Sequence, residues 1–305
     1  MDQSRIFIMT GITSGLGLQA ARNVLNNEDI QIITGVRSDQ GHRALSSLPQ
    51  DRLTVLDLDL ASLNSVDAFC QAVRAQLGDN TVAGLALNAG VQITTGLETT
   101  IDGIETTFAV NHLAHWLIHA RLRDTLATQA RVVLTCSGTH DPDDPIAKRF
   151  GFRGGIFPSA KRVASGTLDP DATETQACLD RYATSKMCNV MQGLFWVRTD
   201  RSVDTVLFDP GLMPGTGLAR DRGVIERFAW RYLMPLMRVA TRGVSSAERS
   251  GAMLARLLTG QQGHSGEYLE FTGRTLTPWK LAADTALQDD LDAYSARITR
   301  DQLTP

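Results

Sequence analysis

A tyrosine and a lysine form the most reactive pair in the sequence. Tyr182 and Lys186 are four positions apart in the run Tyr182-Ala183-Thr184-Ser185-Lys186. Residues at this spacing face the same side of a helix. A nearby ammonium group stabilises tyrosinate and lowers the pKa of the phenol. The tyrosine can then act as a general acid or base nearer neutral pH, although the same spacing also fits a solvated helix face.

A glycine-rich turn near the start of the sequence predicts a phosphate site. The run Thr10-Gly11-Ile12-Thr13-Ser14-Gly15-Leu16-Gly17 follows a short apolar segment and precedes an amphipathic one. Glycines let the backbone turn tightly and approach a pyrophosphate, whose charge then lies at a helix N-terminus. The alternative is an ordinary glycine-rich turn. The residues expected to contact a dinucleotide are Gly11, Thr13, Ser14, Gly15, Leu16 and Gly17.

The second apolar segment ends at Gly35-Val36-Arg37-Ser38. In a dinucleotide-binding fold, an acidic residue here would accept a hydrogen bond from the ribose 2′-hydroxyl of NAD, whereas an arginine suits a 2′-phosphate. Arg37 therefore favours NADP(H), with Ser38 as a second donor. The alternative is that Arg37 is a surface cation.

Short aliphatic runs alternate with longer periodic segments along the whole chain. The strand-like runs are Arg5–Met9, Ile30–Gly35, Leu53–Leu56, Val82–Leu87, Arg131–Cys136, Val203–Phe208 and Glu267–Phe271. The helix-like segments are Leu16–Leu25, Leu63–Leu77, Thr107–Leu126, Tyr182–Thr199 and Pro278–Arg300. This alternation predicts an α/β fold: one Rossmann-type domain over residues 1–305, with a doubly wound parallel sheet and helices on both faces.

Composition argues against several classes of protein. The 30 Lys and Arg against 33 Asp and Glu give a net charge of −3, which lacks the basic excess that nucleic-acid binding requires. The four cysteines form no CxxC pair, so no metal site is expected. No apolar stretch of about 20 residues is present, and the N-terminus does not resemble a signal peptide. We expect a cytoplasmic protein with reduced thiols and no transmembrane segment.

The order of the motifs resembles that of the short-chain dehydrogenase/reductase family over nearly the whole chain. The glycine-rich turn is followed by Asn88-Ala89-Gly90, by Asn111 within Phe108–His112, by Ser137 after the run Arg131–Cys136, by Tyr182 and Lys186, and by Pro210-Gly211. Retinol-dehydrogenase-like and protochlorophyllide-reductase-like members are the most similar branch. The residues that carry this closer likeness are Val36-Arg37, Asn111-His112, Tyr182–Asn189 and Pro210–Leu218.

The resemblance implies a role for each motif. It implies that Tyr182 is the general acid or base, that Ser137 orients the substrate oxygen, that Lys186 lowers the pKa of Tyr182 and binds ribose, and that Asn111 supports a proton relay. The cofactor contacts it implies are Asp59, Leu60, Asn88, Ala89, Gly90, Tyr182, Lys186, Pro210, Gly211 and Thr216.

The reaction implied by the resemblance is NADPH-dependent hydride transfer between a nicotinamide and a carbonyl or alcohol. Two alternatives stay open. One is a redox-neutral or C=C-reducing biosynthetic reaction on the same fold. The other is a non-catalytic, regulatory nucleotide-binding protein.

Two segments are predicted to shape a pocket for a small-molecule substrate. An insertion at about 138–181 begins beside Ser137 and is expected to wall the pocket. His140 and Phe157 within it are candidate substrate contacts, although a loop histidine with a backbone partner is an equal alternative for His140. The segment at about 212–242, which includes Met213, is interpreted as a lid over a bulky, lipophilic substrate. Its stretch 224–240 also fits a membrane-surface helix or packing within a homo-oligomer.

Overall fold

The computed structural model describes residues 5–213 and 243–303. Most of the segment interpreted as a lid, together with Thr216, lies outside these residues. Met213 lies inside them.

The described residues form an eight-stranded sheet in the order β3-β2-β1-β4-β5-β6-β7-β8. Every neighbouring pair is parallel except β7 and β8. The strands are β1 (Arg5–Met9), β2 (Ile30–Val36), β3 (Leu53–Asp57), β4 (Val82–Leu87), β5 (Leu126–Thr135), β6 (Asp204–Asp209), β7 (Tyr268–Glu270) and β8 (Thr275–Leu276). The predicted α/β architecture with a doubly wound parallel sheet is confirmed.

Helices cover both faces of the sheet. They are α1 (Gly15–Val24), α2 (Asp39–Ala44), α3 (Leu63–Leu77), α4 (Ala114–Leu122), α5 (Pro145–Arg149), α6 (Ala160–Ala164), α7 (Glu174–Thr199), α8 (Ala247–Leu258) and α9 (Thr285–Leu303). A short turn, Thr106–Phe108, and a π-helical turn, Ala109–Leu113, lead into α4.

Two apolar layers bury the faces of the sheet. One face packs against α3, α4, α7 and α9 around side chains such as Phe69, Leu117 and Val190. The other packs against α1 and α8 around Leu16, Leu254 and Leu257. A Cβ atom on Gly251 of α8 would lie 2.8 Å from the carbonyl oxygen of Leu16, so only glycine allows this close approach of α8 to α1.

Several boundaries differ from those expected. The helix expected at Tyr182–Thr199 begins earlier, at Glu174, because the Thr173 hydroxyl accepts a hydrogen bond from the Gln176 N–H at 3.3 Å. The insertion therefore contributes its last residues to α7. The helix expected at Thr107–Leu126 ends at Leu122, and residues from Leu126 onward lengthen β5.

The strand order places a crevice where β1 and β4 lie side by side. Successive crossovers run in opposite directions from β1 and β4, so the loops that leave the two strands diverge. Ligands in open α/β sheets bind at this point, beyond the carboxyl ends of the strands. The glycine-rich turn leaves β1 here, and Asn88-Ala89-Gly90 leaves β4.

Candidate active site

Two glycines bring the turn after β1 against the loop after β4. Gly11 has a φ of 70°, and a Cβ atom there would lie 2.7 Å from the Cα of Ala89. A Cβ atom on Gly17 would lie 2.1 Å from the Gly11 carbonyl oxygen. A side chain at either position would force the two loops apart, so the spacing of these glycines is a steric requirement of the crevice.

Polar contacts fix the same two loops in register. The Thr10 hydroxyl oxygen accepts hydrogen bonds from the backbone N–H groups of Asn88 at 2.9 Å and Ala89 at 3.1 Å. The Asn88 amide nitrogen donates to the carbonyl oxygens of Thr10 and Gly11, at 3.1 and 3.2 Å. The Thr135 hydroxyl donates to Asn88 at 3.2 Å and extends the network to β5.

The start of α1 fits a phosphate group. Ser14 stands at the N-cap and makes no capping hydrogen bond through its side chain. The N–H groups of the first helical turn are therefore left to another acceptor, and the helix dipole favours an anion there. Thr13 is half-buried and Ser14 is exposed, while Leu16 and Gly17 are buried.

The residues predicted for the adenosine half of the cofactor lie at the next two strand ends. Arg37 and Ser38 follow β2, and Asp59 and Leu60 follow β3. The Arg37 side chain is 74% exposed, and its guanidinium lies 4.0 Å from an Asp59 carboxylate oxygen. That oxygen also accepts a hydrogen bond from the Ala61 N–H at 3.0 Å. Arg37 is thus a largely solvated cation at the end of β2.

Asn111 occupies the π-helical turn and holds the loop after β4. Its Oδ1 atom accepts from the Val91 N–H at 2.7 Å, and its Nδ2 atom donates to the Val91 carbonyl at 2.9 Å. The same nitrogen lies 2.9 Å from the Ser185 hydroxyl on α7. Asn111 is fully buried and connects the crevice to the helix that carries the tyrosine–lysine pair.

Ser137 follows β5 and caps a short 3₁₀ turn, Gly138–His140. Its hydroxyl oxygen accepts a hydrogen bond from the Thr139 N–H at 3.3 Å. The serine is half-buried, and the insertion leaves the sheet from this point.

Tyr182 and Lys186 lie one turn apart on α7, as the sequence predicts. Both are buried, and the Lys186 ammonium lies 6.0 Å from the centre of the Tyr182 ring. A hydrogen bond with the Ser137 side chain favours the ionised phenol, but burial and the Asp209 carboxylate outweigh it and raise the pKa of Tyr182. The sequence predicts that Lys186 lowers the pKa of Tyr182, whereas in this structure that pKa is raised.

The Lys186 ammonium donates a hydrogen bond to the Thr135 carbonyl at 3.1 Å. Burial lowers its pKa to about 8, and the negative charge of Asp209 partly opposes this shift. The Asn189 side chain donates to the same carbonyl at 3.2 Å. The end of β5 thus fixes the position of the lysine.

A cavity of about 340 Å³ opens beside Ser137 and Tyr182. Much of its wall comes from the insertion and is apolar. The apolar lining residues are Pro145, Ile146, Ala147, Phe150, Phe152, Leu212, Met213, Phe271 and Leu276. The polar lining residues are Gln92, Ser137, Thr139, Asp144, Tyr182, Asp209, Glu270 and Arg274.

Asp209 joins the two loops on either side of the cavity. One carboxylate oxygen accepts from the Gly211 N–H at 2.9 Å, and the carboxylate also bonds the Gly138 N–H. Burial raises the pKa of Asp209 to about 6, and the nearby charges of Asp144 and Glu270 add to this shift. Asp209 thereby connects the turn after Ser137 to the Pro210-Gly211 turn.

The predicted substrate contacts divide into two groups. Met213 lies in the cavity wall, whereas His140 and Phe157 lie outside it. The His140 ring bonds the Ser137 carbonyl through Nδ1 at 2.7 Å, and its Nε2 atom accepts from the Trp279 N–H at 3.4 Å. Both ring nitrogens of His140 therefore bond backbone groups, as the alternative of a loop histidine with a backbone partner predicts. Phe157 belongs to the core beside α7.

Several residues of the site were not predicted from the sequence. His115 lies between Thr10 and Asn111, Gln92 and Arg274 line the cavity, and Asp209 joins the two loops. A signal was available only for Asp209, which directly precedes Pro210-Gly211 at a strand end. The others belong to segments with no motif of their own.

No described helix is long and apolar enough to cross a membrane. Across residues 5–213 and 243–303, no group of three or more His, Cys, Asp or Glu side chains is arranged to hold a metal ion. The four cysteines are free and buried. A cytoplasmic location stays a prediction.

Comparisons with known proteins agree with this arrangement. The family model described as short chain dehydrogenase matches residues 5–143. Protochlorophyllide reductase B of Hordeum vulgare is 29% identical over an alignment of 270 positions that covers 83% of this chain and 66% of that protein, just under two thirds of its length. The WW domain-containing oxidoreductase of Drosophila melanogaster is 26% identical over an alignment of 305 positions that covers 96% of this chain and 68% of that protein.

Solved structures share the fold. The NADPH-bound carbonyl reductase from chicken fatty liver superposes with a TM-score of 0.63 at 17% identity, covering 90% of this chain and 99% of that one. A blue fluorescent protein from a metagenomic library, in complex with NADPH, has a TM-score of 0.60 at 18% identity, covering 88% of this chain and 96% of that one.

Proposed function

Because the chain belongs to the short-chain dehydrogenase/reductase family of oxidoreductases, we propose that it interconverts a carbonyl and an alcohol with NADP(H), on a bulky, lipophilic small molecule. One observation carries this proposal. Ser137 and Tyr182 lie together in the wall of a largely apolar cavity, and Lys186 and Asn111 are held beside them. A binding protein has no physical need for this set of groups around a cavity.

The crevice between β1 and β4 would hold the cofactor. The turn Gly11–Gly17 and the uncapped start of α1 suit its pyrophosphate, and Arg37 suits a 2′-phosphate. Asp59 and Leu60 would lie along the adenosine half, and Asn88, Ala89 and Gly90 along the crevice floor. Pro210 and Gly211 would lie near the nicotinamide end. Bound there, the cofactor supplies or accepts the hydride.

Tyr182 would exchange the proton. Its raised pKa keeps the phenol protonated near neutral pH, so the residue is ready to donate to a carbonyl oxygen as that oxygen becomes an alkoxide. The Ser137 hydroxyl would hold the same oxygen and stabilise its developing charge. Oxidation of an alcohol uses the same groups in reverse and requires tyrosinate.

Lys186 would bind the nicotinamide ribose, and its ammonium would stabilise the ionised phenol of Tyr182. Its ammonium donates to the Thr135 carbonyl, which directs it from α7 toward the crevice. Asn111 would support the proton relay by fixing the loop at Val91 against α7.

The cavity favours a large apolar substrate. Phe150, Phe152 and Phe271 supply aromatic walls, and Met213 adds a flexible side chain that adapts to irregular shapes. A volume of about 340 Å³ lies within the range of ordinary small-molecule pockets.

The test follows NADPH absorbance with a panel of lipophilic aldehydes, ketones and enones. The Tyr182→Phe variant is expected to lose about 100- to 10,000-fold in kcat, the usual contribution of a positioned acid, while its Kd for NADPH changes little. Tyr294→Phe makes the same change on α9, away from the cavity, and is expected to behave as wild type. A Tyr182→Phe enzyme that retains full turnover, or a wild type that reduces only C=C bonds, would overturn the proposal.

A further inference from the structure

The Gln92 side chain lines the cavity with an unused hydrogen-bond donor. Its Nε2 atom is shielded from water and has no hydrogen-bond partner within residues 5–213 and 243–303. The same side chain forms part of the cavity wall that contains Ser137 and Tyr182. Buried amide groups are almost always paired. Rotation about the last side-chain bond of Gln92 turns this nitrogen toward the cavity, where an oxygen of the ligand can accept its hydrogen bond.

The backbone around Gln92 is fixed by the catalytic residues themselves. Both backbone groups of the preceding residue, Val91, are held by the Asn111 side chain, at 2.7 and 2.9 Å. A Cβ atom on Gly90 would lie 3.4 Å from the Lys186 ammonium nitrogen and 3.3 Å from the Asn111 Oδ1 atom. The loop cannot swing away without breaking these contacts. The Gln92 amide is therefore held close to the reacting centre.

The charges in the cavity limit the kind of acceptor that Gln92 can meet. Asp144, Asp209 and Glu270 place carboxylates in the wall. Among the lining residues that the structure describes, Arg274 is the cation, and it is bound to Glu270 through its Nε atom at 3.1 Å. A carboxylate or phosphate on the substrate would meet like charges. A neutral oxygen would not.

We propose that Gln92 is a specificity-determining residue that donates a hydrogen bond to a second, neutral oxygen of the substrate. The substrate class is then an oxygenated carbonyl compound, such as a hydroxyketone or a diketone, with an apolar remainder for the aromatic walls. This inference rests on the proposed function, because it assigns the second contact of the same substrate.

The experiment compares matched probes that differ by one oxygen. The pair 2-hydroxyacetophenone and acetophenone and the pair 1-phenylpropane-1,2-dione and propiophenone are each measured for kcat/KM with NADPH. Gln92→Leu keeps most of the side-chain volume and removes the amide, and Gln92→Glu keeps the shape and replaces the donor with a carboxylate. Gln71→Leu makes the same change as the first variant on the exposed face of α3 and serves as the control.

We expect wild type to prefer the oxygenated member of each pair and both Gln92 variants to lose that preference by at least tenfold, since a site built to bond an oxygen discriminates strongly against its absence. In these variants the simple ketones should lose less kcat/KM than their oxygenated partners. Gln71→Leu should keep the wild-type kcat/KM for all four probes and the wild-type Kd for NADPH. The inference would be overturned, and the proposed function left intact, by either of two results. One is that Gln92→Leu still prefers the oxygenated probes. The other is that kcat/KM falls equally for both members of a pair. A wild type that reduces none of the four probes overturns both.

Discussion

The Nε2 atom of His115 lies 3.1 Å from the hydroxyl oxygen of Thr10, joining the helix after Asn111 to the glycine-rich turn. Its other ring nitrogen, Nδ1, lies 3.0 Å from the carbonyl oxygen of Asn111. A carbonyl can only accept, so Nδ1 carries the proton and Nε2 accepts from the threonine hydroxyl. His115 therefore orients the threonine whose oxygen receives the backbone N–H groups of Asn88 and Ala89.

His115→Phe is expected to destabilise the protein in a pH-dependent way. Burial, and secondarily Lys186, lowers the pKa of His115 to about 3, below its unfolded value near 6.5. The stabilising contribution is thus fully present above pH 6.5 and is lost as the pH falls toward 3. We expect a loss of about 1–3 kcal/mol at pH 8, because the substitution removes two buried hydrogen bonds, and a smaller difference at pH 5.

Urea unfolding of His115→Phe at both pH values measures this effect. His264→Phe, at an exposed position, should show no such pH dependence. In His115→Phe, the KM for NADPH should rise by a larger factor than kcat falls. The glycine-rich turn after β1 shifts in this variant, whereas Tyr182 stays in place. A stability difference that is constant, or that grows toward pH 5, would contradict this account of the tautomer.

Arg37→Asp is expected to weaken NADPH binding by about 10- to 100-fold and to change NADH binding much less. A hydrogen bond to a charged group contributes about 1.5–3 kcal/mol, and Arg37 is a largely solvated cation with one distant partner, Asp59. Fluorescence titration with each cofactor gives the two Kd values. Arg22→Asp makes the same charge change in the last turn of α1 and should affect neither. An equal loss for both cofactors would rule out the assignment of the 2′-phosphate to Arg37.

The strands and their order along the chain were predictable because buried parallel strands are continuous aliphatic runs. Parallel topology then collects the residues that follow each strand at one edge of the sheet. Asn88, Ser137 and Gly211 meet there for that reason, although the sequence separates them widely. The Tyr182–Lys186 spacing was equally informative, because a helix alone places the two side chains on one side.

Residues that act through long-range contacts were not predictable. His115 resembles any histidine of an apolar helix until Thr10 is seen against it, and Gln92 becomes a candidate only because Asn111 fixes the backbone beside it. Strand β8 is two residues long and pairs antiparallel to β7, so it carries no periodic signal. His140 was ambiguous because a loop histidine after a catalytic serine fits a substrate contact and a backbone brace equally well.

Asp209→Asn is expected to shift the pH dependence of alcohol oxidation to lower pH. Oxidation needs tyrosinate, and the Asp209 charge raises the pKa of Tyr182. Removing this charge should lower that pKa, so the rising alkaline limb of kcat/KM moves down by roughly one pH unit. Other groups coupled to the carboxylate are Cys136, Asp144, Lys186, Tyr268 and Glu270.

The rate profile of Asp209→Asn is measured with the alcohol product of the best probe, alongside a melting curve that confirms folding. Glu267→Asn removes a carboxylate just before β7 and is the control. The alkaline rise of its kcat/KM should occur at the same pH as in wild type. If the rise of kcat/KM in a folded Asp209→Asn enzyme occurs at higher pH, or at the same pH as in wild type, the charge of Asp209 does not act on Tyr182.

Arg153→Met is expected to loosen the insertion from α7. The Arg153 guanidinium donates to Asp180 at 3.0 and 2.6 Å and to Asp169 at 2.7 Å, and the Asp180 side chain is only 1% exposed. Removing the cation leaves a buried carboxylate with one side-chain donor in the described structure, Gln176 at 2.9 Å. Because the Arg153 side chain is 44% exposed while Asp180 is buried, the expected cost is about 1–3 kcal/mol of unfolding free energy.

A double-mutant cycle in urea separates this ion pair from general damage. Asp180→Asn should restore part of the stability lost in Arg153→Met, because it removes the uncompensated charge. Lys148→Met breaks an exposed pair with Asp143 in the same insertion and should stay close to wild type. Since Phe152 adjoins Arg153 and lines the cavity, Arg153→Met should also raise the substrate KM. Additive losses in the cycle, together with an unchanged KM, would mean that the pair neither stabilises the insertion nor shapes the cavity.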